Sequence, residues 1–101
     1  MVAQVGDNVM LHCDTNSSEQ ILWYFGSPIR PLYNGFELNS TAFPRHRINR
    51  EDKNDSCDTI IMISGVQYED AGKYTCTGSA SGTSHSVELT VIGGLNYLSL
   101  D

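Results

Sequence analysis

Apolar residues in this chain recur at every second position rather than every third or fourth. Val9, Leu11 and Cys13 fall on one side of an alternation whose other side carries Met10 and His12. That period belongs to a strand with one buried face. Ile21, Trp23 and Phe25 repeat it, with Leu22 and Tyr24 on the opposite side. Thr59, Ile61 and Ile63 share a face within 58–63, and Tyr74 and Cys76 share one within 72–77. In 86–91, Val87, Leu89 and Val91 alternate with Ser86, Glu88 and Thr90. Shorter strands are expected at Val5, at 31–33, at 36–38 and at 45–50. No helical stripe persists, so the chain reads as all-β.

The breaks between these runs have their own chemistry. Gly6-Asp7-Asn8 reads as a turn and 14–20 as a polar loop. Gly26-Ser27-Pro28 ends the third strand, because Pro28 cannot donate to a central ladder. Asn34-Gly35 predicts a two-residue hairpin turn between the two short edge strands. Residues 39–44 form a loop, 51–56 a charged turn, Ser64-Gly65 a bend and 78–83 a loop of small residues. Gly93-Gly94 ends the domain, leaving 93–101 as a tail or linker. About eight or nine short strands with frequent turns make a β-sandwich of two antiparallel sheets. Its expected core is Val9, Leu11, Trp23, Phe25, Ile61, Ile63, Val66, Tyr74, Val87, Leu89 and Val91. Burying each large apolar side chain contributes roughly 1.5–3 kcal/mol.

Composition narrows the function. At 101 residues the chain is one domain. Six basic against 12 acidic residues, a net charge of −6, exclude a phosphate-collecting surface and so nucleic acid as a partner. No apolar run approaches the roughly 18 residues of a membrane helix. Met1-Val2-Ala3-Gln4 lacks the basic and apolar regions of a signal peptide, so an export signal and any membrane anchor are expected outside this stretch. Cys13 and Cys76 lie on predicted strands, a placement that suggests an oxidising compartment; the other reading is two buried thiols in a cytosolic protein. The odd cysteine, Cys57, sits where the charged turn meets a strand, as a free thiol or a bridge to another chain. Asn16, Asn39 and Asn54 each open an Asn-x-Ser/Thr sequon in a polar stretch and are candidate glycosylation sites. His12, His46 and His85 show no metal spacing, and the acids of 51–58 lack the order of a calcium loop. With no nucleophile, phosphate-loop or paired-acid motif either, neither a cofactor nor an enzymatic activity is expected.

The stretch Asp70-Ala71-Gly72-Lys73-Tyr74-Thr75-Cys76, taken with Cys13 and Trp23, resembles the variable-type (V-set) immunoglobulin domain over residues 2–92. The resemblance implies an inter-sheet disulfide between Cys13 and Cys76, with Trp23 packed on it and Tyr74 as the tyrosine-corner residue. It also implies an ion pair between Arg47 and Asp70 at one end of the sandwich. The long span from Trp23 to Asp70 leaves room for the two extra edge strands of the V-set. The last strand is similar to the joining-segment strand of antigen receptors. It lacks their aromatic-Gly-x-Gly bulge, and Gly26 stands where antibody-like domains often place a pairing glutamine.

The same resemblance locates a partner surface. In V-set receptors it is the outer sheet face that carries partners. Here that face would hold Leu22, Tyr24, Lys73, Thr75 and Glu88, bordered by Tyr33 and Phe36, an aromatic patch with a polar rim. The expected function is an extracellular recognition module of a cell-surface or secreted immune-type receptor that binds a protein partner. The alternatives are an adhesion domain that pairs with a second copy or a relative, and a structural spacer in a longer ectodomain. The basic run Arg45-His46-Arg47 with Arg50 is explained by Asp70 and by the acids Glu51, Asp52 and Asp55.

Overall fold

The computed structural model describes residues 1–15, 20–52, 57–79, 82 and 84–93; the side chains of Thr15, Asp52 and Cys57 are not among the described groups. Eight strands run in the order β1 (Val2–Gln4), β2 (Val9–Thr15), β3 (Ile21–Phe25), β4 (Arg30–Tyr33), β5 (His46–Asp52), β6 (Cys57–Ile63), β7 (Gly72–Gly78) and β8 (Ser84–Ile92). A 3-10 turn, Tyr68–Asp70, precedes β7. The strands form a five-stranded sheet, β1-β8-β7-β3-β4, facing a three-stranded sheet, β2-β6-β5. The inward alternation of both sheets builds one core. Every residue of the expected core lies in it, with Val87 only partly buried, and Ala3, Ile21, Leu32, Tyr33 and Phe43 extend it.

Cys13 on β2 and Cys76 on β7 are joined by a disulfide across the two sheets, with Cα atoms 6.4 Å apart. Trp23 lies directly opposite Cys76 in the β3–β7 ladder. Its indole N–H crosses the core and donates to the Thr59 carbonyl at 3.3 Å. Thr59 in turn is the ladder partner of Cys13. Tryptophan and disulfide thus bridge the same level of the sandwich. The Tyr74 hydroxyl donates to the Asp70 carbonyl at 2.8 Å, which closes the tyrosine corner.

The ion pair at that corner uses a different arginine from the expected one. Both Asp70 carboxylate oxygens accept from Arg45, Oδ1 from Nη2 at 3.1 Å and Oδ2 from Nη1. Arg47 lies inside β5, opposite Met62 and in the same outward row as Met10, and is exposed. Strand alternation turns it away from the corner. Arg45 precedes β5, in a turn that is free to bring its guanidinium round to Asp70. Between the two arginines, His46 is buried at 4% exposure. Because the Tyr74 hydroxyl hydrogen is committed to Asp70, the phenol oxygen accepts from His46 Nε2–H at 3.2 Å, which assigns the tautomer. His46 Nδ1 is buried without a partner among the described residues. Burial holds the His46 pKa below its ordinary value, partly opposed by Asp70. Burial likewise pushes the Tyr74 phenol well up.

Three elements differ from the sequence expectation. The first strand is Val2–Gln4, paired in parallel with Thr90–Ile92, and Val5 follows it in a turn. Asn34-Gly35 does not form a two-residue hairpin. Asn34 Oδ1 accepts from the backbone N–H groups of Phe36 and Glu37 at 2.9 and 2.7 Å, and this local side-chain bond holds a wider turn. The second edge strand then shrinks to one bridge, Leu38 against Tyr33.

Candidate interaction surface

Outward residues of the five-stranded sheet come from β3, β7 and β8 by alternation. Leu22 and Tyr24 on β3 are half-buried. Tyr24 faces Thr75 on β7, which faces Ser86 on β8; Leu22 faces Thr77, which faces Ser84. The hydroxyls of each β7–β8 pair bond to one another, Thr75 to Ser86 at 3.0 Å and Thr77 to Ser84 at 2.9 Å. These short side chains satisfy each other within the sheet and leave Leu22 and Tyr24 beside a flat polar field. One register step along, Lys73 lies opposite Glu88. Beyond them a cleft of about 550 Å³ opens between Pro28 and Arg30 on one side and Gly72, Lys73 and Glu88 on the other.

Leu22, Tyr24, Lys73, Thr75 and Glu88 therefore share the face expected of them. Tyr33 does not. It is buried at 7% exposure, and its hydroxyl donates to the Gly35 carbonyl at 3.1 Å. A register shift between Trp23 and Tyr24 pairs Tyr33 with Trp23 and Pro31 with Tyr24, so β4 carries one extra residue there. Leu32 and Tyr33 both turn inward at this bulge, and Pro31 takes the outward place beside Tyr24. Phe36 stands on the turn after β4, 76% exposed, at the border of the face rather than on a strand.

Sequence reasoning missed Arg30. Its guanidinium lies 5.4 Å from the Phe25 ring centroid and 5.1 Å from that of Phe43. These contacts fix a cation at the mouth of the cleft. The missed signal was Phe43, in a stretch whose polar neighbours read as plain loop. Asn39 is exposed beside β4, whereas Asn16 and Asn54 lie outside the described residues. Among the described residues, no group of three or more His, Cys, Asp or Glu could hold a metal ion. No helix among them is long and apolar enough to cross a membrane.

The family whose description is "Immunoglobulin V-set domain" matches residues 1–92. The chain belongs to the V-set immunoglobulin domains. Their fold is generally non-enzymatic, and such domains are typically extracellular. Among solved structures, the V-set domain described here is similar to the first immunoglobulin domain of RIG-5, crystallised as a homodimer, with TM-score 0.74 and 21% identity over 91% of this chain and 88% of that one. It is also similar to the second immunoglobulin domain of the mouse polymeric immunoglobulin receptor, with TM-score 0.74 and 18% identity over 93% and 95% of the two chains. A third structure comes from a study of multimeric cell-adhesive interactions of VGSC beta subunits, with TM-score 0.66 and 19% identity over 91% and 89%. At these identities the likeness is one of fold. No curated protein matches the chain by sequence.

Proposed function

We propose that this V-set domain is an extracellular recognition module of a cell-surface or secreted immune-type receptor, and that it binds a protein partner through the outer face of its five-stranded sheet. The distribution of charge carries this reading. The chain has a net charge of −6. On the outer rows of β3, β7 and β8, however, the only charged residues are Lys73 and Glu88, which lie opposite each other. On the other sheet Asp14, Asp58 and Glu51 stand in one cross-strand row, with His12 bonded to Asp58. A face with a Leu22–Tyr24 centre, satisfied hydroxyls around it and charge only at one end has the composition of an interface core with a polar rim. Tyr24 is its expected anchor. Replacing Tyr24 with Arg is expected to weaken partner binding at least about 30-fold, the loss of roughly 2 kcal/mol typical of an anchor residue. The melting temperature of the variant is expected to shift by no more than about 4 °C, because the side chain is not in the core. Unchanged affinity in a binding titration against the captured partner overturns the assignment of the face.

A second reading, adhesion by pairing with another copy, uses the same surface. It is supported by the near neutrality of that face, which relieves the repulsion that two strongly acidic molecules otherwise meet. Sedimentation equilibrium separates the two. A concentration-dependent dimer lost in Tyr24→Ala supports self-pairing, and a monomer at all concentrations with a foreign ligand supports the receptor reading.

A further inference from the structure

The two edges of the five-stranded sheet are β1 and β4, at opposite ends of its order, and β4 lies beside the recognition face. A free edge offers unpaired backbone groups to any other extended chain. Here residues 38 and 39 cover part of it. Leu38 bridges Tyr33, and the Asn39 N–H donates to the Leu32 carbonyl at 2.9 Å. The Asn39 side chain runs alongside, with Nδ2 donating to the Pro31 carbonyl at 3.4 Å. Asn39, Ser40 and Thr41 are all exposed and together form a complete sequon with no proline at its middle position. Next to it an open cavity of about 420 Å³ runs between Pro31, Tyr33, Asn34 and Glu37 and the sequon itself. That is enough room for a polar ring seated against the chain.

We infer that Asn39 carries an N-linked glycan that covers the free edge of β4. The step is a transfer from a lipid-diphosphate-linked oligosaccharide. A bond forms between Asn39 Nδ2 and the first sugar's anomeric carbon, the bond from that carbon to the diphosphate oxygen breaks, the lipid diphosphate departs, and Nδ2 gives up one proton. The product amide keeps one N–H, so the donation to the Pro31 carbonyl can persist. A hydrated glycan here projects from the sheet edge. It closes the edge to strand addition while leaving the row of Leu22 and Tyr24 open. The sequon needs no rearrangement of the core to be reached, since every residue of it is on the surface.

The inference rests on the extracellular reading for its occurrence in the native setting, so the test supplies export independently. The chain is secreted from glycosylating cells behind a heterologous signal peptide and mapped by peptide mass after enzymatic glycan release. Release converts a formerly glycosylated Asn39 to Asp, and that conversion is the expected result. In Thr41→Ala, which leaves Asn39 and its hydrogen bonds in place, the same peptide is expected unmodified. A secreted wild-type chain with Asn39 unmodified overturns the site. For the covering role, Tyr24→Ala protein removes association through the face. Adding Thr41→Ala to that variant, which removes this glycan alone, is expected to turn a monomeric sedimentation profile into one whose weight-average mass rises with concentration, and a monomer in both overturns the covering role. Neither readout depends on what the face binds.

Discussion

Asp70 ties together the corner of the sandwich. Its carboxylate accepts from Arg45 and from the Gln67 N–H, and its carbonyl accepts from Tyr74. Removing Arg45 leaves that carboxylate buried with half its partners. Arg45→Ala is therefore expected to destabilise the fold by about 3 kcal/mol, the lower end of the range for a broken buried pair, because the Arg45 side chain is 30% exposed. Arg47→Ala, on an exposed strand face, is expected to change stability by less than about 0.5 kcal/mol. Denaturant unfolding of the two variants discriminates them. Sequence reasoning identified Asp70 and the need for an arginine near it but named Arg47, two residues from Arg45, which makes the pair. Both arginines fall within 45–50, expected as one short strand, and only the place where β5 begins, at His46, decides which is free to reach the corner. His46 adds a pH dependence. Its pKa is lowered in the fold by burial and stands near 6.5 in the unfolded chain. Above that value the imidazole is neutral in both states and the stability is fully present. Below it the unfolded chain takes up a proton that the folded one refuses. Stability then falls by up to about 1.4 kcal/mol per pH unit until the folded group also titrates. Urea midpoints measured from pH 7.5 to 5 are expected to decline, and in His46→Gln this contribution to the slope disappears.

Among the elements, β7 is held in place by Gly72. Its backbone sits at φ +141, and a Cβ there would meet Phe25 Cε1 and Cζ at 3.2 and 3.3 Å. Phe25 is itself fixed against Phe43 and Tyr74, with ring centroids 5.9 and 4.6 Å away. Gly72→Ala is expected to cost about 1–3 kcal/mol, from strain and overpacking together, and to lower the thermal midpoint seen by circular dichroism. The long strands were legible because their alternation runs through five residues or more, as in Ile21–Phe25 and Gly72–Gly78. Of the short ones, β4 lies where a strand was expected at 31–33, but neither its facing nor the place of the first strand was legible. The pairing of Val2–Gln4 with β8 depends on a partner at the far end of the chain. The bulge at Trp23 and Tyr24 shifts β4 by one residue, and a one-residue slip reverses a side chain's face. Tyr33 moved from partner surface to core for that reason alone. The Leu22–Tyr24 row was readable because it depends only on the phase of Trp23.

For the whole molecule, the Cys13–Cys76 link closes a loop of about 64 residues, and in the chain-entropy model it contributes about 4 kcal/mol. A chain this small has little stability in reserve, so Cys13→Ala with Cys76→Ala is expected to lower stability by about 2–5 kcal/mol. Thiol titration in denaturant without reductant is expected to find one free thiol per chain from Cys57, or none where Cys57 joins two chains. Three thiols would place the protein in a reducing compartment and remove the basis of the extracellular reading.

The parallel pairing of β1 with β8 has a mechanical consequence. Because the two strands run the same way, tension applied outward at Met1 and at Ile92 pulls them past each other along their length. The ladder bonds are then loaded side by side, together with Thr90 N–H to the Met1 carbonyl and Val5 N–H to the Ile92 carbonyl, both 2.9 Å. Bonds loaded in parallel must break together, whereas an unzipping geometry breaks them singly. The shortest strand of the sandwich is thereby its clasp against stretching, and Val5→Pro, which deletes the donor to the Ile92 carbonyl at the end of that strand, is expected to lower the unfolding force at constant pulling speed.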